Sequence, residues 1–256
     1  PKITVVTATC RDWDFLHVQK QALEMQTFRD FDWVIVDDLL HPDCPKQRGY
    51  RVEATFPVRH APPLRYATTF AEAVARNTGL LYAQGELLYL MNDYIEPTPG
   101  VLERHWQLYQ QYGPKVIISG PLIPDPPYAH RIPERMIEGE VGEVLSEEKL
   151  VNGWYWAGRN DSAPLEGALA VNGFDERMDG DKCGIDVIFG RRLVNWGCRY
   201  LIDQKASCRE EPHHPVKAGT GIHFASDWPQ EYQRVKSTRE IYTPNDWNIA
   251  EARHGA

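Results

Sequence analysis

The sequence predicts an α/β protein of a single domain, with a doubly wound, mostly parallel central sheet and helices on both faces. Short β-branched and apolar runs alternate along the chain with segments of helical periodicity. Three of the strand-like runs end in polar clusters, at residues 7–12, 37–38 and 92–93. In such sheets ligands bind beyond the carboxyl ends of the strands. We therefore expect the three clusters to meet at one edge of the sheet.

The first forty residues have the pattern strand, helix, strand. Ile3-Thr4-Val5-Val6 is a β-branched run that ends in a polar turn. Apolar residues from Phe15 to Met25 lie near helical spacing. The next run, Trp33-Val34-Ile35-Val36, is strand-like again and ends at Asp37-Asp38.

The middle of the chain continues this alternation after a long connection. Five prolines between residues 39 and 63 predict a loop with one short strand over 52–56. A helix is predicted over 67–83, followed by a central strand over 87–91. A further helix from about 100 to 112 precedes a strand at 116–118. The later part is less regular, with a helix over 185–196 and a strand-like run at 199–202.

Composition excludes several classes of protein. The 256 residues include 28 Lys and Arg against 36 Asp and Glu, with 42% hydrophobic residues, which is typical of a folded globular chain rather than a disordered one. Five cysteines without C-x-x-C spacing predict reduced thiols rather than disulfides or a zinc site. The sequence lacks a run of about 20 apolar residues and begins without the apolar core of a signal peptide. We therefore expect a cytoplasmic protein.

Three sequence blocks resemble the family 2 glycosyltransferases of the GT-A fold. Residues 26–28 and 31–38 are similar to the family's "AQTYxDFEVIVVDD", and residues 75–79 with 83–86 to its "ARNxGxxxAxGE". Residues 171–176, 184–186 and 192–197 are similar to "VGGFDE…GxEDxxxxxRLxxxG". The blocks occur in the family's order, and the resemblance covers about the first 210 residues.

The resemblance implies transfer of a sugar from a nucleotide-diphosphate sugar, most commonly UDP-linked, to a hydroxyl group with inversion. It also implies a GT-A domain over 1–210, with a nucleotide-sugar-binding half (1–120) and an acceptor and catalytic half (121–210). Residues 211–256 would then be a C-terminal extension that packs on the same domain. A divalent metal, Mn²⁺ or Mg²⁺, would bridge the protein and the diphosphate.

Asp93 is the expected metal ligand, because it stands at the end of a central strand, where the family carries its D-x-D motif. Here the motif reads Asn92-Asp93-Tyr94, so one carboxylate of the family is missing and the expectation of a metal is weakened. A simple turn after the strand is the other interpretation. Many GT-A enzymes add a late histidine to the metal, for which His213 and His214 rank above His223; solvated loop histidines are the alternative.

Asp186 is the expected catalytic base, since it matches the aspartate of the family's E-D pair. A carboxylate at the rigid start of a helix can take the proton of an acceptor hydroxyl. The alternative is an acid that only stabilises the first turn of the helix. Asp179 and Asp181 are the backups.

Further residues are expected to bind the nucleotide sugar or the acceptor. Asp37 or Asp38 would accept hydrogen bonds from the base or ribose, and Arg76 would offer its planar donors to the base or a phosphate. The full set of expected donor contacts is Thr7, Thr9, Arg11, Asp37, Asp38, Arg76, Asn77, Asn92 and Asp93. Trp154 and Trp156 would stack on the sugar or acceptor, and Trp13 on the base; each could equally be a core or anchoring residue.

Two other functions fit the sequence less well. A non-catalytic sugar-nucleotide binder could have kept the fold after losing a metal carboxylate. A nucleotidyltransferase should show a glycine-rich phosphate loop, and residues 7–12 contain no glycine. The acceptor stays open: a glycan, a lipid-linked intermediate, a small molecule or a hydroxylated DNA base. An acidic chain argues against nucleic acid, but residues 191–239 contain nine basic against five acidic side chains.

Overall fold

The computed structural model describes residues 1–12, 15–67, 71–124, 143–145, 158–180, 184–210 and 228–253. Within these ranges it contains eleven strands. In chain order they are β1 (Ile3–Thr9), β2 (Phe31–Asp37), β3 (Val58–Ala61), β4 (Leu87–Met91), β5 (Ile95–Pro97), β6 (Val116–Ser119), β7 (Leu122–Pro124), β8 (Glu143–Leu145), β9 (Asn160–Pro164), β10 (Arg199–Ile202) and β11 (Cys208–Glu210).

Eight of these strands form the main sheet, in the order β3-β2-β1-β4-β9-β6-β10-β8. Six run in one direction, whereas β9 and β8 are antiparallel to their neighbours. The prediction of a mostly parallel sheet is therefore confirmed. A small second sheet, β5-β11-β7, lies next to the end of β4.

Helices cover both faces of the main sheet, as predicted. They are α1 (Phe15–Glu24), α2 (Glu72–Tyr82), α3 (Val101–Tyr112), α4 (Leu165–Ala170), α5 (Ile185–Asn195), α6 (Trp228–Thr238) and α7 (Ile249–Arg253). Strand β4 shows the two layers: Leu88 and Leu90 pack into one core with α2, α4 and α5, and Leu87 and Tyr89 into the other with α1 and α3. The alternation follows from the two-residue period of a strand.

Two predicted boundaries differ from the structure. The strand predicted at 52–56 is wrong: the edge strand is β3, which pairs with β2 through residues 58–61. The backbone N–H of Val52 instead donates to Nδ1 of His60, at 3.0 Å. The helix predicted from residue 67 begins at Glu72, where its first turn is held by a distant side chain described below.

The segments after residue 228 pack on the helices of the main sheet. Helix α6 packs against α5, and α7 packs against α2 and α4. Asn172 links this part to the sheet domain, because its amide donates to the carbonyls of Thr243 and Trp247. No helix in the described part of the chain combines the length and apolarity that crossing a membrane requires.

Candidate functional site

The candidate site lies at the edge of the sheet where β1, β2 and β4 end and the antiparallel β9 begins. Met91 at the end of β4 pairs with Asn160 at the start of β9. Residues just after β4 therefore lie beside those just before β9, and the Asn92 N–H donates to the Arg159 carbonyl at 3.4 Å. The side chain of Gln19 in α1 fixes this turn by donating to the Asn92 and Ile95 carbonyls, at 2.7 and 2.8 Å.

Asp93 is nearly buried at this edge and makes two contacts through the same oxygen. Its Oδ2 accepts a hydrogen bond from the Thr9 hydroxyl at 2.8 Å and lies 3.1 Å from Nε of Arg11. Burial raises the pKa of Asp93, while Arg11 and Thr9 oppose the rise. The sequence correctly placed Thr9, Arg11 and Asp93 together.

The residues on either side of Asp93 bond each other. The Asn92 side chain donates through Nδ2 to the Tyr94 hydroxyl at 2.7 Å, and its Oδ1 accepts from Arg76 at 2.6 Å. The ring of Tyr94 lies under the Arg11 guanidinium, 5.6 Å from ring centroid to Cζ. Both the nitrogen and the oxygen of the Asn92 side-chain amide are thus hydrogen-bonded within the protein.

Arg76 lies in the floor of the site, with only 5% of its surface exposed. Its Nε donates to Oε1 of Glu72 at 2.8 Å, one helical turn earlier, and its guanidinium lies 5.2 Å from the Phe174 ring centroid. This i,i+4 pair and the bond to Asn92 hold the arginine in one orientation.

Asp186 lies in the first turn of α5, close to Arg76. Its Oδ1 accepts a hydrogen bond from the N–H of Val187 at 3.0 Å. A methyl group built on Gly158 would lie 2.8 Å from Nη1 of Arg76 and 2.9 Å from Cβ of Asp186. Both residues therefore border the same point beside Gly158, and a larger residue there would require one of them to move.

Burial raises the pKa of Asp186, with further increases from Glu72 and Asp161, whereas Arg159 and Arg76 lower it. The net direction is upward, which moves a carboxylate towards the range of a useful general base. Arg159 itself stays cationic: burial lowers its pKa, but Tyr94, Asp186 and Asp161 raise it above the ordinary value.

Asp161 fixes the short segment that carries Gly158 and Arg159. Its Oδ2 accepts the N–H groups of both residues at 2.7 Å, and its Oδ1 accepts the Ser119 hydroxyl. Asp161 is 2% exposed, so a buried residue of the sheet fixes the conformation of this turn.

Asp37 and Asp38, which the sequence could not separate, have different environments. Asp37 has no exposed surface. Its Oδ1 accepts the Leu39 N–H at 2.9 Å, and its Oδ2 contacts Arg48 and Nε2 of His60, the latter at 2.9 Å. His60 accepts the Val52 N–H at Nδ1, so its proton is on Nε2 and is donated to Asp37. Asp37 therefore links neighbouring segments of the protein, and its expected contact with a ligand stays a prediction.

Thr7 and Asn77 are also fully buried, and their expected ligand contacts stay predictions. Thr7 Oγ1 accepts a hydrogen bond from the Trp33 indole at 3.0 Å. Asn77 accepts the Phe174 N–H at 2.8 Å and donates to the Phe174 carbonyl at 2.9 Å. The second and third sequence blocks are thus bonded directly to each other through Asn77.

Asp38 and Asp179 are two further carboxylates near this edge. Burial, Asp37 and Asp179 raise the pKa of Asp38 to about 7. Asp179 accepts the N–H groups of Ala73 and Val74, at 2.7 and 3.1 Å, and so caps α2 from 105 residues away in sequence. Burial raises the pKa of Asp179 to about 6, although these backbone bonds lower it.

Several predicted residues lie outside the described part of the chain. They are Trp13, Trp154, Trp156, Asp181, His213, His214 and His223. The expected stacking contacts, one of the backup bases and the expected histidine ligands therefore stay predictions.

Sequence reasoning missed Glu72, Gly158, Arg159 and Asp161. Glu72 could have been found, since it stands four residues before Arg76 on a predicted helix. The other three lie in or beside an antiparallel strand without an apolar pattern, Asn-Asp-Ser-Ala-Pro, which gave no strand signal.

The expected divalent metal can be tested against the side chains of this edge. Mg²⁺ and similar ions at phosphate sites keep several waters and are held by one or two carboxylates together with the substrate phosphates. Oδ2 of Asp93 is already neutralised by Arg11, and Oδ1 of Asn92 and Oε1 of Glu72 both accept from Arg76. No group of three His, Cys, Asp or Glu side chains converges within the described ranges. Because the carboxylate next to Asn92 is already paired with an arginine, the described side chains around Asp93 do not fit a divalent metal.

Comparison with known proteins shows the fold. No family model and no curated protein matches the sequence. Among solved structures, S. aureus TarS aligns over 98% of this chain with a TM-score of 0.70 and 13% identity. A structure of TarS residues 1–349 in complex with UDP-GlcNAc aligns over 98% of this chain, with a TM-score of 0.70 and 14% sequence identity.

A mannosyltransferase from Pyrobaculum calidifontis, in complex with GDP-Man and Mn²⁺, aligns over 85% of the chain with a TM-score of 0.56 and 18% identity. The chain spans 41% of the longer TarS chain, 69% of the shorter one and 58% of the mannosyltransferase. The GT-A fold predicted from the three sequence blocks is confirmed.

Proposed function

We propose that this chain is a glycosyltransferase that moves a sugar from a nucleoside-diphosphate sugar to a hydroxyl acceptor, with inversion at the anomeric carbon. One observation carries the proposal: Nη1 of Arg76 and Cβ of Asp186 both lie within 3 Å of the point that a methyl group on Gly158 would occupy, and Arg76 also binds Asn92 beside Asp93. A group that can take a proton thus lies beside groups that can bind a diphosphate. The confirmed fold and the matched sequence blocks support the same function.

In the proposed step, Asp186 accepts the proton of the acceptor hydroxyl. The hydroxyl oxygen forms a bond to the anomeric carbon of the donor sugar as the bond from that carbon to the diphosphate oxygen breaks. The electron pair leaves with the nucleoside diphosphate. The raised pKa of Asp186 suits this role, because a base with a pKa closer to neutral takes the proton more readily.

The leaving diphosphate gains negative charge, and the cationic side chains of the edge would stabilise it. Arg11 and Arg159 border the Asp93 turn, whereas Arg76 lies deeper and orients Asn92. Asp38 is the proposed contact to the ribose or base, since both carboxylate oxygens of Asp37 already bind groups of the protein. We keep the division into a donor half, 1–120, and an acceptor half, 121–210, as part of the proposal.

Metal assistance, which the family resemblance implied, is left out of this step, because the described side chains do not fit a metal. The nucleotide is proposed as UDP or GDP, since similar structures were determined with UDP-GlcNAc and GDP-Man. The acceptor is proposed only as a hydroxyl compound.

A thermal-shift screen with nucleoside diphosphates and their sugars tests the proposal, because a ligand that binds the native state raises the unfolding temperature. A ligand present at about 100 times its Kd should stabilise the native protein by about 2.7 kcal/mol. Donors that shift the protein are then incubated with glycans, lipid-linked sugars and small alcohols, and the released nucleoside diphosphate is measured. Stabilisation together with release in the presence of an acceptor is expected.

Two outcomes would contradict the proposed function. If no nucleoside diphosphate or its sugar shifts the protein, the edge is not a nucleotide site. If donors bind and none is turned over with any acceptor or with water, the chain is the non-catalytic binder that the sequence left open.

A further inference from the structure

The departure of the chain from the family's acidic motif has a physical counterpart at the site. Tyr94, in the segment where the family carries its acidic motif, makes two contacts. Its hydroxyl accepts from Asn92 at 2.7 Å, and its ring lies below Arg11 at 5.6 Å. The aromatic face attracts the guanidinium, which then faces Asp93.

Arg11 is also fixed through its backbone. Its N–H donates to the Thr9 hydroxyl oxygen at 3.3 Å, and its carbonyl accepts from Arg48 at 2.7 Å. Arg48 in turn contacts the buried Asp37. Arg11 is thus pre-organised through its side chain by Asp93 and Tyr94 and through its backbone by Thr9 and Arg48, and its side chain still exposes 23% of its surface.

A second arginine borders the same tyrosine. Burial raises the pKa of Tyr94, and the positive charge of Arg159 opposes that rise. The N–H of Arg159 is anchored by Asp161 at 2.7 Å. The Arg11 guanidinium therefore lies on the ring of Tyr94, and the positive charge of Arg159 lies close enough to act on the same tyrosine. Guanidinium groups have planar donors that match phosphate oxygens.

We infer that Arg11, together with Arg159, takes the place of a divalent cation beside Asp93, so that the donor diphosphate binds without metal. The inference rests on the proposed function. Arg11 donates to the diphosphate from its seat on Asp93 and Tyr94, and Asp93 positions Arg11 instead of coordinating an ion. The ring of Tyr94 holds the guanidinium of Arg11 beside Asp93.

Isothermal titration of the full chain with UDP and with GDP, in EDTA and in Mn²⁺, tests this inference. The dissociation constant of the better nucleotide is expected to agree within about twofold between the two conditions, which is under about 0.5 kcal/mol. The Arg11→Ala variant should bind that nucleotide about 10 to 100 times more weakly in EDTA, because hydrogen bonds to charged groups contribute about 1.5–3 kcal/mol each.

Arg199→Ala is the matched control. Arg199 also lies over a tyrosine ring, that of Tyr112, at 5.9 Å, but at the opposite edge of the sheet, where β10 begins. Its removal should leave nucleotide binding unchanged. Arg11→Lys, which keeps the charge and loses the planar fork, should bind between the wild type and Arg11→Ala, and unfolding temperatures without ligand check that each variant is folded.

The outcomes separate the inference from the function on which it rests. Binding of the wild type that requires Mn²⁺, or unchanged binding by a folded Arg11→Ala variant, overturns the inference and leaves the proposed function standing. Lack of binding of either nucleotide in both conditions overturns the proposed function, and the inference with it. If Arg11→Ala does not fold, the comparison of EDTA with Mn²⁺ on the wild type decides alone.

Discussion

Two aspartates that follow neighbouring strands of the sheet have opposite surroundings. Asp37 ends β2 with no exposed surface and both oxygens bonded within the protein. Asp93 follows β4 with a single oxygen bonded, to Thr9 and Arg11, in a site shared with Arg159 and Asp186. Carboxylates at equivalent ends of strands can thus serve the fold in one place and a ligand in the other. The two aspartates differ less in burial than in whether both carboxylate oxygens bind other groups of the protein.

Removal of Asp37 should have the largest effect on stability. In Asp37→Ala, Arg48 and His60 lose their partner while their side chains stay 5% and 2% exposed. Breaking a buried ion pair in this way costs about 3–5 kcal/mol. Urea unfolding of the variant and the wild type measures the difference.

Asp93→Ala is the matched comparison for Asp37→Ala. Arg11 can turn into solvent from its partly exposed position, so the loss should be under about 2 kcal/mol. Equal losses for the two variants would remove the distinction between a structural and a functional carboxylate.

Gly158→Ala should impair the site more than the fold. The added methyl would press on Nη1 of Arg76 and Cβ of Asp186, at 2.8 and 2.9 Å. A displacement of about 1 Å at reacting groups can lower activity by about 100-fold, so we expect kcat/KM for a donor found in the screen to fall by about 10 to 100 times. Steady-state kinetics measures the loss.

Gly49→Ala is the control for Gly158→Ala, because a methyl group there meets no atom within 4 Å. It should keep wild-type kinetics. Unchanged kcat/KM in Gly158→Ala would mean that Asp186 and Arg76 are not held at the reacting groups.

The smallest expected effect concerns Asp38, and it depends on pH. Burial raises the pKa of Asp38 from 3.8 to about 7. Because the unfolded chain ionises first, the wild type should lose stability as the pH rises from about 4 towards 7. Asp38→Asn has no such proton to lose. The variant should therefore unfold at a higher temperature than the wild type at pH 8, and the difference should vanish near pH 4.

The same experiment on Asp30→Asn supplies the control, since Asp30 is an exposed residue before β2 whose side chain exposes 57% of its surface. A difference between Asp38→Asn and the wild type that is the same at both pH values would contradict the assigned environment of Asp38.

Much of this arrangement could be predicted from the sequence. Strand β4 has the predicted bounds, 87–91. Its five consecutive apolar residues are all buried, and a short run of this kind is buried on both sides only inside the sheet. Thr9, Arg11 and Asp93 were grouped correctly, since the ends of parallel strands share an edge.

Other features depend on contacts between distant residues, to which local patterns are blind. Asp37 and Asp38 are adjacent in sequence, and only the positions of Arg48 and His60 show which one is saturated. The start of α2 at Glu72 depends on Asp179, which comes from the other half of the chain. Strand β9, which carries Asp161, lies between β4 and β6. The polar residues of this strand gave no sign that it belongs in the middle of the sheet.

The central claim, that Asp186 takes a proton beside a bound donor, is tested most directly by Asp186→Asn. Donor affinity and the rate of nucleoside diphosphate release are measured on the same preparation, with Asp30→Asn as the control. We expect Asp186→Asn to bind the donor within about twofold of the wild type and to lose about 100- to 10,000-fold in transfer. Transfer at the wild-type rate by Asp186→Asn would contradict the claim.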